Sequence, residues 1–261
     1  MSEAVFTLDG SRVVPSELAR GPWSPDHQHG GAPSALLAGA VEQIEPLDAT
    51  HVARLTIDLV RPVPLRPLEL QTRVRRPGKK VQLIEAALLD GDTEVALCRA
   101  LRLREKTIDV PEPPPGLPEG VAPPADSSPI TFSAPDRLPG FWITMDVRVA
   151  RGAMFEAAGP ATVWFRFGAQ VVAGHEPTPL QRVAAAADFG NGISPAFDRM
   201  RFSFINADLS IHLHRQPVGE WIALDARTFA ARHGVALAES GLLDERGRIG
   251  RSVQMLLLDE R

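Results

Sequence analysis

Two periodicities take turns along this chain. Leu36, Leu37, Ala40, Val41 and Ile44 recur at helical spacing and predict a helix from Pro33 to Ile44. A second helix is predicted from Pro179 to Asp188, through Ala184-Ala185-Ala186-Ala187. Pro33 and Pro179 suit a first helical turn, and Thr178 is a good N-cap. Four runs that read as strands follow each helix. They fall at 51–60, 68–75, 80–89 and 94–104 in the first half, and at 202–214, 220–230, 234–243 and 248–258 in the second. Asp90-Gly91-Asp92 and Asp244-Glu245-Arg246-Gly247 mark hairpin turns between the last two strands of each set. Short runs at 4–8, 12–14, 141–150 and 161–168 add edge strands.

The two sets repeat each other. Leu59-Val60-Arg61 matches Leu213-His214-Arg215, and Glu85-Ala86-Ala87-Leu88-Leu89-Asp90 matches Glu239-Ser240-Gly241-Leu242-Leu243-Asp244. Both matches share one offset, 154 (215 − 61 and 239 − 85), which points to duplication. Between the sets, Pro111, Pro113, Pro114, Pro115, Pro118, Pro123 and Pro124 forbid a continuous helix or a central strand. The reading is therefore an N-terminal domain at 1–106, a proline-rich linker at 107–139 and a C-terminal domain at 140–261. The fold class is α+β. Both helices are rich in Ala and Leu and lack a charged face, so each is expected to be buried against a curled antiparallel sheet.

Composition narrows the function. The chain has 261 residues, 44% hydrophobic and 23% charged, with net charge −4 and both signs interspersed. No basic stripe suggests nucleic acid, and no run approaches the roughly 18 apolar residues of a membrane span. The start of the chain lacks the basic and apolar regions of a signal peptide, so a cytoplasmic location is expected. The single cysteine, Cys98, lies in a strand-like run and reads as a buried core thiol rather than a nucleophile. No metal-ligand cluster is completed around His212 and His214, and no metal or cofactor is expected.

Three separated polar positions stand out. Asp188 ends an almost wholly apolar helix, where a carboxylate opposes the macrodipole and its charged form is costly to desolvate. Alternation through Phe204 to Arg215 groups Asn206, Asp208, Ser210, His212 and His214 on one strand face, with Ile205, Ala207, Leu209, Ile211 and Leu213 on the other. Gln254 is an amide within the apolar last strand. The 154 offset places Val52 and Ala100 opposite Asn206 and Gln254, so only the second half carries both amides. There is no Gly-x-Ser-x-Gly elbow. Trp23, Trp142, Trp164 and Trp221 read as core or domain-interface residues.

In these positions, and in Gln28-His29-Gly30-Gly31 at the entry to the first helix, the chain resembles the double hot-dog acyl-CoA thioesterases of the type II group over about residues 15–261. The resemblance implies two fused hot-dog domains, each an antiparallel sheet wrapped around a central helix. It implies hydrolysis of an acyl-CoA thioester to a free acid and CoA. That family's trio of Asp, Thr or Ser, and Gln falls on Asp188, Asn206 and Gln254, with Asn206 a departure at the middle position. His29, Gly30 and Gly31 correspond to its His-Gly-Gly motif and are taken as substrate-binding. In this reading Asp188 is the general base, Asn206 and Gln254 hold the water, and backbone N–H groups at Gly30-Gly31 or Glu176-Pro177-Thr178 polarise the carbonyl. The expected partner is acyl-CoA, and the expected assembly is a homodimer of double hot-dog chains. Two other readings share the fold: a non-catalytic acyl-CoA binder, and a hydratase or dehydratase. The second would carry a His on or near the buried helix, and the second helix here has none.

Overall fold

The two repeats meet edge to edge in the computed structural model, which describes residues 3–44, 49–111, 115–130, 138–152, 154, 158–198 and 200–261. The first half contributes β1 (Ala4–Asp9), β2 (Arg12–Pro15), α1 (Gly31–Gln43), β3 (Thr50–Asp58), β4 (Leu68–Arg76), β5 (Val81–Asp90) and β6 (Thr93–Arg104). The second contributes β7 (Ser128–Ile130), β8 (Met145–Arg151), β9 (Ala161–Phe167), β10 (Gln170–Val172), α2 (Pro179–Ala187), a single turn α3 (Gly190–Ile193), β11 (Phe202–Asn206), β12 (Asp208–Leu213), β13 (Trp221–Ala230), β14 (Val235–Asp244) and β15 (Gly247–Glu260). One sheet runs in the order β10-β1-β2-β4-β5-β6-β3-β12-β15-β14-β13-β9-β8-β7, with β11 also on β15. The halves join where β3 pairs antiparallel with β12 and again where β1 pairs parallel with β10. The 154 offset carries β5 residue for residue onto β14, and β6 onto β15, so the repeated strings are repeated hairpins.

Both helices lie against the inner face of this sheet. Ten residues of α1 are buried, from Gly31 through Gly39 and at Val41, which leaves no room for a charged stripe. Burying one such leucine, as at Leu37, contributes about 1.5–3 kcal/mol. Thr178 closes a capping box with Gln181 at the start of α2. The helices run antiparallel: Gly31 at the start of α1 sits against the Ala185 carbonyl near the end of α2, while Thr178 Oγ1 donates to Glu42 Oε2 at the opposite ends. Small residues at the crossing permit this, since a side chain at Gly39 would collide with Gln181.

The run expected as one strand over 202–214 is two. Going from Asn206 opposite Leu256 to Ser210 opposite Val253 takes four residues on one strand and three on the other. The extra residue forms a bulge at Ala207, whose N–H donates to Met255 O while Asp208 Oδ1 accepts from the Met255 N–H. The slip inverts the side chains before it. Asn206 therefore points inward, with Leu209 and Ile211, and Ile205 points out and is 63% exposed. Strict alternation had placed Asn206 with Ser210 and His212, and the bulge corrects that grouping. Of the proline-rich stretch 107–139, residues 112–114 and 131–137 lie outside the described residues. The intervening 115–130 run against the second half, where Trp164 Nε1 donates to Ala122 O and Arg148 Nη1 to Pro124 O.

Candidate functional site

Asp188 is the C-cap of α2 and is only 4% exposed. Its Oδ1 accepts from Asn206 Nδ2 at 2.8 Å and from Gln254 Nε2 at 3.1 Å. Its Oδ2 lies 3.1 Å from His29 Nδ1. Four elements thus converge on one carboxylate: the end of α2, the last residue of β11, the middle of β15 and the loop entering α1. Asp188 opposes the dipole of its own helix, but it also stands at the N-terminus of α1, where the partial positive charge favours it. Gly30 makes the approach possible, because a Cβ there would stand 2.8 Å from Asp188 Oδ2.

Burial alone drives the Asp188 carboxyl upward. The hydrogen bond and charge of His29, the Asn206 amide and the Gly31 N–H together outweigh it and hold the group below the usual carboxylate range. His29 Nδ1 is also 3.0 Å from the Gly31 N–H. One nitrogen cannot donate and accept in the same place. With Asp188 ionised, Nδ1 carries the proton and donates a hydrogen bond to the carboxylate, and the Gly31 N–H is directed at the same group.

Six residues singled out in the sequence fall in this cluster: Asp188, Asn206, Gln254, His29, Gly30 and Gly31. The alternative carbonyl-polarising segment, Glu176-Pro177-Thr178, does not. It lies at the far end of the helix pair, where Thr178 meets Glu42. Two contributions were not read from the sequence. Asn191 on α3 donates from Nδ2 to Asn206 Oδ1 at 2.7 Å, fixing that amide with its N–H₂ toward Asp188. The ring of His29 packs on Phe189 and Phe141, with centroids at 4.6 and 5.3 Å. The only signal for Asn191 was its place three residues after Asp188, one helical turn on.

Beside the cluster, Trp23 meets Phe204 edge-on at 4.9 Å, and Phe204 meets Phe197 at 5.8 Å. Trp23 precedes His29 on one loop and Phe204 precedes Asn206 on one strand, so these segments meet through their rings and share Asp188 between them. Of the two readings for the tryptophans, core or domain interface, Trp23, 55% exposed and set against Phe204 of the second half, fits the second, and Trp164, fully buried, the first. Cys98 is buried, and desolvation, helped by Asp58, pushes its thiol up to about 12, which removes it as a nucleophile. Among the described residues no three His, Cys, Asp or Glu side chains gather to hold a metal, and no helix is long and apolar enough to cross a membrane.

Comparison with known proteins covers most of the chain. Residues 19–103 match the family model of the acyl-CoA thioesterase N-terminal domain, and residues 118–258 that of the acyl-CoA thioesterase C-terminal domain. No curated protein matches. Among solved structures, a candidate thioesterase of Novosphingobium aromaticivorans is 22% identical with TM-score 0.73, covering 98% of each chain. A protein with a hot-dog fold from Alicyclobacillus acidocaldarius is 17% identical with TM-score 0.73, covering 97% of this chain and 95% of its own. An acyl-CoA thioesterase II of Mycobacterium marinum is 15% identical with TM-score 0.67, covering 98% of this chain and 95% of its own. At these identities the structural likeness establishes the fold, two fused hot-dog domains.

Proposed function

We propose that this chain, which belongs to the acyl-CoA thioesterase family, hydrolyses its substrate with a water activated at Asp188 and held by Asn206 and Gln254. Family membership makes it a thioester hydrolase, and the proposal concerns which residues do the work. The observation that carries it is the convergence of Asn206, Gln254 and His29 on one buried carboxylate held in its charged form.

The chemistry runs as follows. Asp188 accepts a proton from a water as the water oxygen attacks the thioester carbonyl carbon. The carbonyl becomes a tetrahedral oxyanion, which collapses to the free acid as the C–S bond breaks. The proton passes to the departing thiolate, giving the acid and the CoA thiol. Asn206 commits one N–H to Asp188 and keeps a second for the water or the oxyanion. Gln254 spends its N–H₂ on the Oδ1 and backbone oxygen of Asp188 and keeps Oε1 as an acceptor for the water. Gly190 avoids crowding that oxygen, since a Cβ there would stand 3.1 Å from Gln254 Oε1. His29 is a positioning residue, tying Asp188 to the start of α1. The half-exposed wall of Trp23 and Phe204 is suited to an apolar acyl group entering beside Asn206.

Thiol release from acyl-CoAs of graded length and from aromatic acyl-CoAs, with Asp188→Asn and Gln254→Ala beside the parent, tests the assignment. Parental rates in both variants would sink it, while loss in both supports it.

A further inference from the structure

The outer face of the sheet, over the seam between the halves, carries a groove of about 520 Å³ that the Asp188 site does not use. We infer that this groove binds a phosphate-bearing anion with a flat apolar part, the chemistry of a nucleotide.

The register builds it. Across β3, β12 and β15, Arg54 stands opposite His212 and His212 opposite Arg251, so two guanidiniums flank one imidazole in a single cross-strand row. Their neighbours Leu55, Ile211 and Ser252 are buried, which sends this row to the outer face. Arg248 closes one side. Its guanidinium occupies the space a side chain at Gly241 would fill, with Nη1 2.6 Å from that Cβ position, and its Nε donates to Gly250 O at 3.0 Å. Ala53, Leu101 and Leu213 also line the groove and give it an apolar floor.

Among the described residues none of these three arginines has an ion-pair partner. On the first half of the sheet, by contrast, Arg73, Arg75 and Arg99 all reach Glu85. Among the described residues no carboxylate oxygen lies within 4.0 Å of a guanidinium nitrogen of Arg54, Arg248 or Arg251, and Arg54 Nε is buried with no hydrogen-bond partner. Asp225 and Glu239 line an adjoining groove with Arg248 and Arg251; Asp225 is taken by Arg151 and Thr162, and Glu239 borders the two arginines without an ion pair to either. Two imidazoles sense the resulting field. Burial and then Arg251 and Arg54 hold His212 below the usual histidine range; His214 is lowered by burial, Arg215 and Arg248, with Asp244 opposing.

Like charges gathered across neighbouring strands cost stability, and a buried donor without a partner adds to the cost. A multiply charged anion offsets both. Guanidinium forks match phosphate oxygens in pairs, and the apolar floor suits a base ring. That chemistry has two sources, a free nucleotide or the phosphorylated adenosine end of CoA.

Titration calorimetry on the full chain with adenosine 3′,5′-bisphosphate, ADP and CoA tests the inference, at low and high salt, for the parent and for Arg54→Gln and Arg251→Gln. Expected is salt-sensitive binding that weakens by about tenfold to a hundredfold in each variant, the worth of one charged hydrogen bond. Expected too is an unchanged or raised melting temperature for the ligand-free variants, because repulsion is relieved. If adenosine 3′,5′-bisphosphate and CoA bind, ADP does not, and KM for acyl-CoA rises in Arg251→Gln at constant kcat, the ligand is the end of the substrate. If ADP binds as well as the others and KM is unmoved, the ligand is a separate nucleotide. Binding that is absent, or equal in parent and variants, overturns the inference, as does a fall in melting temperature with no change in binding.

Discussion

Asn206 reaches Asp188, Nδ2 to Oδ1 at 2.8 Å, because the strand that carries it slips by one residue at Ala207. Without the slip its amide would face outward beside Ser210. The bulge thus converts a residue of the outer face into a partner of a buried carboxylate, while the strand beyond it still pairs across the seam with the first half.

Replacing the carboxylate is the most direct test of its role. Asp188→Asn is expected to lower kcat by about 10²–10⁴, the usual worth of a positioned general base. Asn206→Ala and Gln254→Ala are each expected to lower it by about 10²–10³, the loss of a donor aimed at developing charge. The double variant should cost far less than the product of the singles, because the residues act on one water. Asn206→Thr should keep more activity than Asn206→Ala, since a hydroxyl can donate to Asp188 although it gives up the bond from Asn191. Steady-state kinetics with one acyl-CoA across the set checks all four.

The acid limb of the pH profile reports on His29. Asp188 is held below its usual range, so kcat/KM should persist on the acid side to below about pH 4, the ordinary aspartate value. His29→Gln removes the leading influence opposing desolvation, so the limb should move to higher pH. The stability linkage has a fixed sign. The folded value is below the unfolded one, so Asp188 contributes in full above the unfolded value, and the contribution fades as pH falls through the folded value. An acid limb that stays in place in His29→Gln would remove His29 from its positioning role.

Gly30→Ala tests whether the carboxylate needs its close approach to α1. The backbone at Gly30 is ordinary right-handed helix (φ −56, ψ −28), so alanine adds no conformational strain. Its Cβ would stand 2.8 and 3.0 Å from the two oxygens of Asp188. Overpacking of this kind costs about 1–3 kcal/mol, and the displaced carboxylate should lose kcat rather than KM. A parental kcat in a correctly folded variant would show that this approach does not matter.

Much of this arrangement was legible in the sequence, for definite reasons. Helix and strand periods differ, and the 154 offset made each half a check on the other, so the four long strands of each repeat were placed to within a few residues. Asp188 and Gln254 stood out because a carboxylate and an amide in apolar runs are costly without partners. The inward turn of Asn206 was not legible, because a bulge leaves no trace in alternation until the partner strand is known. Asn191 and the aromatic packing on His29 were hidden for the same reason, as contacts between segments distant in sequence. Which tryptophans are core and which lie between the halves was not legible, because Trp23 meets Phe204 only once the two segments are brought together.

Duplication also left a pair of strings whose halves now do different things. Asp244, with no exposed surface, takes both Nη atoms of Arg215 and the backbone N–H groups of Val218 and Arg246. Its first-half counterpart Asp90 pairs instead with Arg66 at the surface, and the repeated Arg61 is not its partner. Burial drives the Asp244 carboxyl up, but Arg215 and the two amides outweigh it and hold it below the usual range. Its stabilising contribution is therefore complete above the unfolded value and is lost as pH falls through the folded one. Asp244→Ala strands a guanidinium and two amides and should cost about 3–5 kcal/mol. Asp90→Ala should cost much less, because solvent already screens that pair. Urea denaturation of both variants at neutral pH decides the matter. Equal losses would mean that the two copies still serve one role, and a large loss confined to Asp244→Ala would place the anchor of the second hairpin at Arg215.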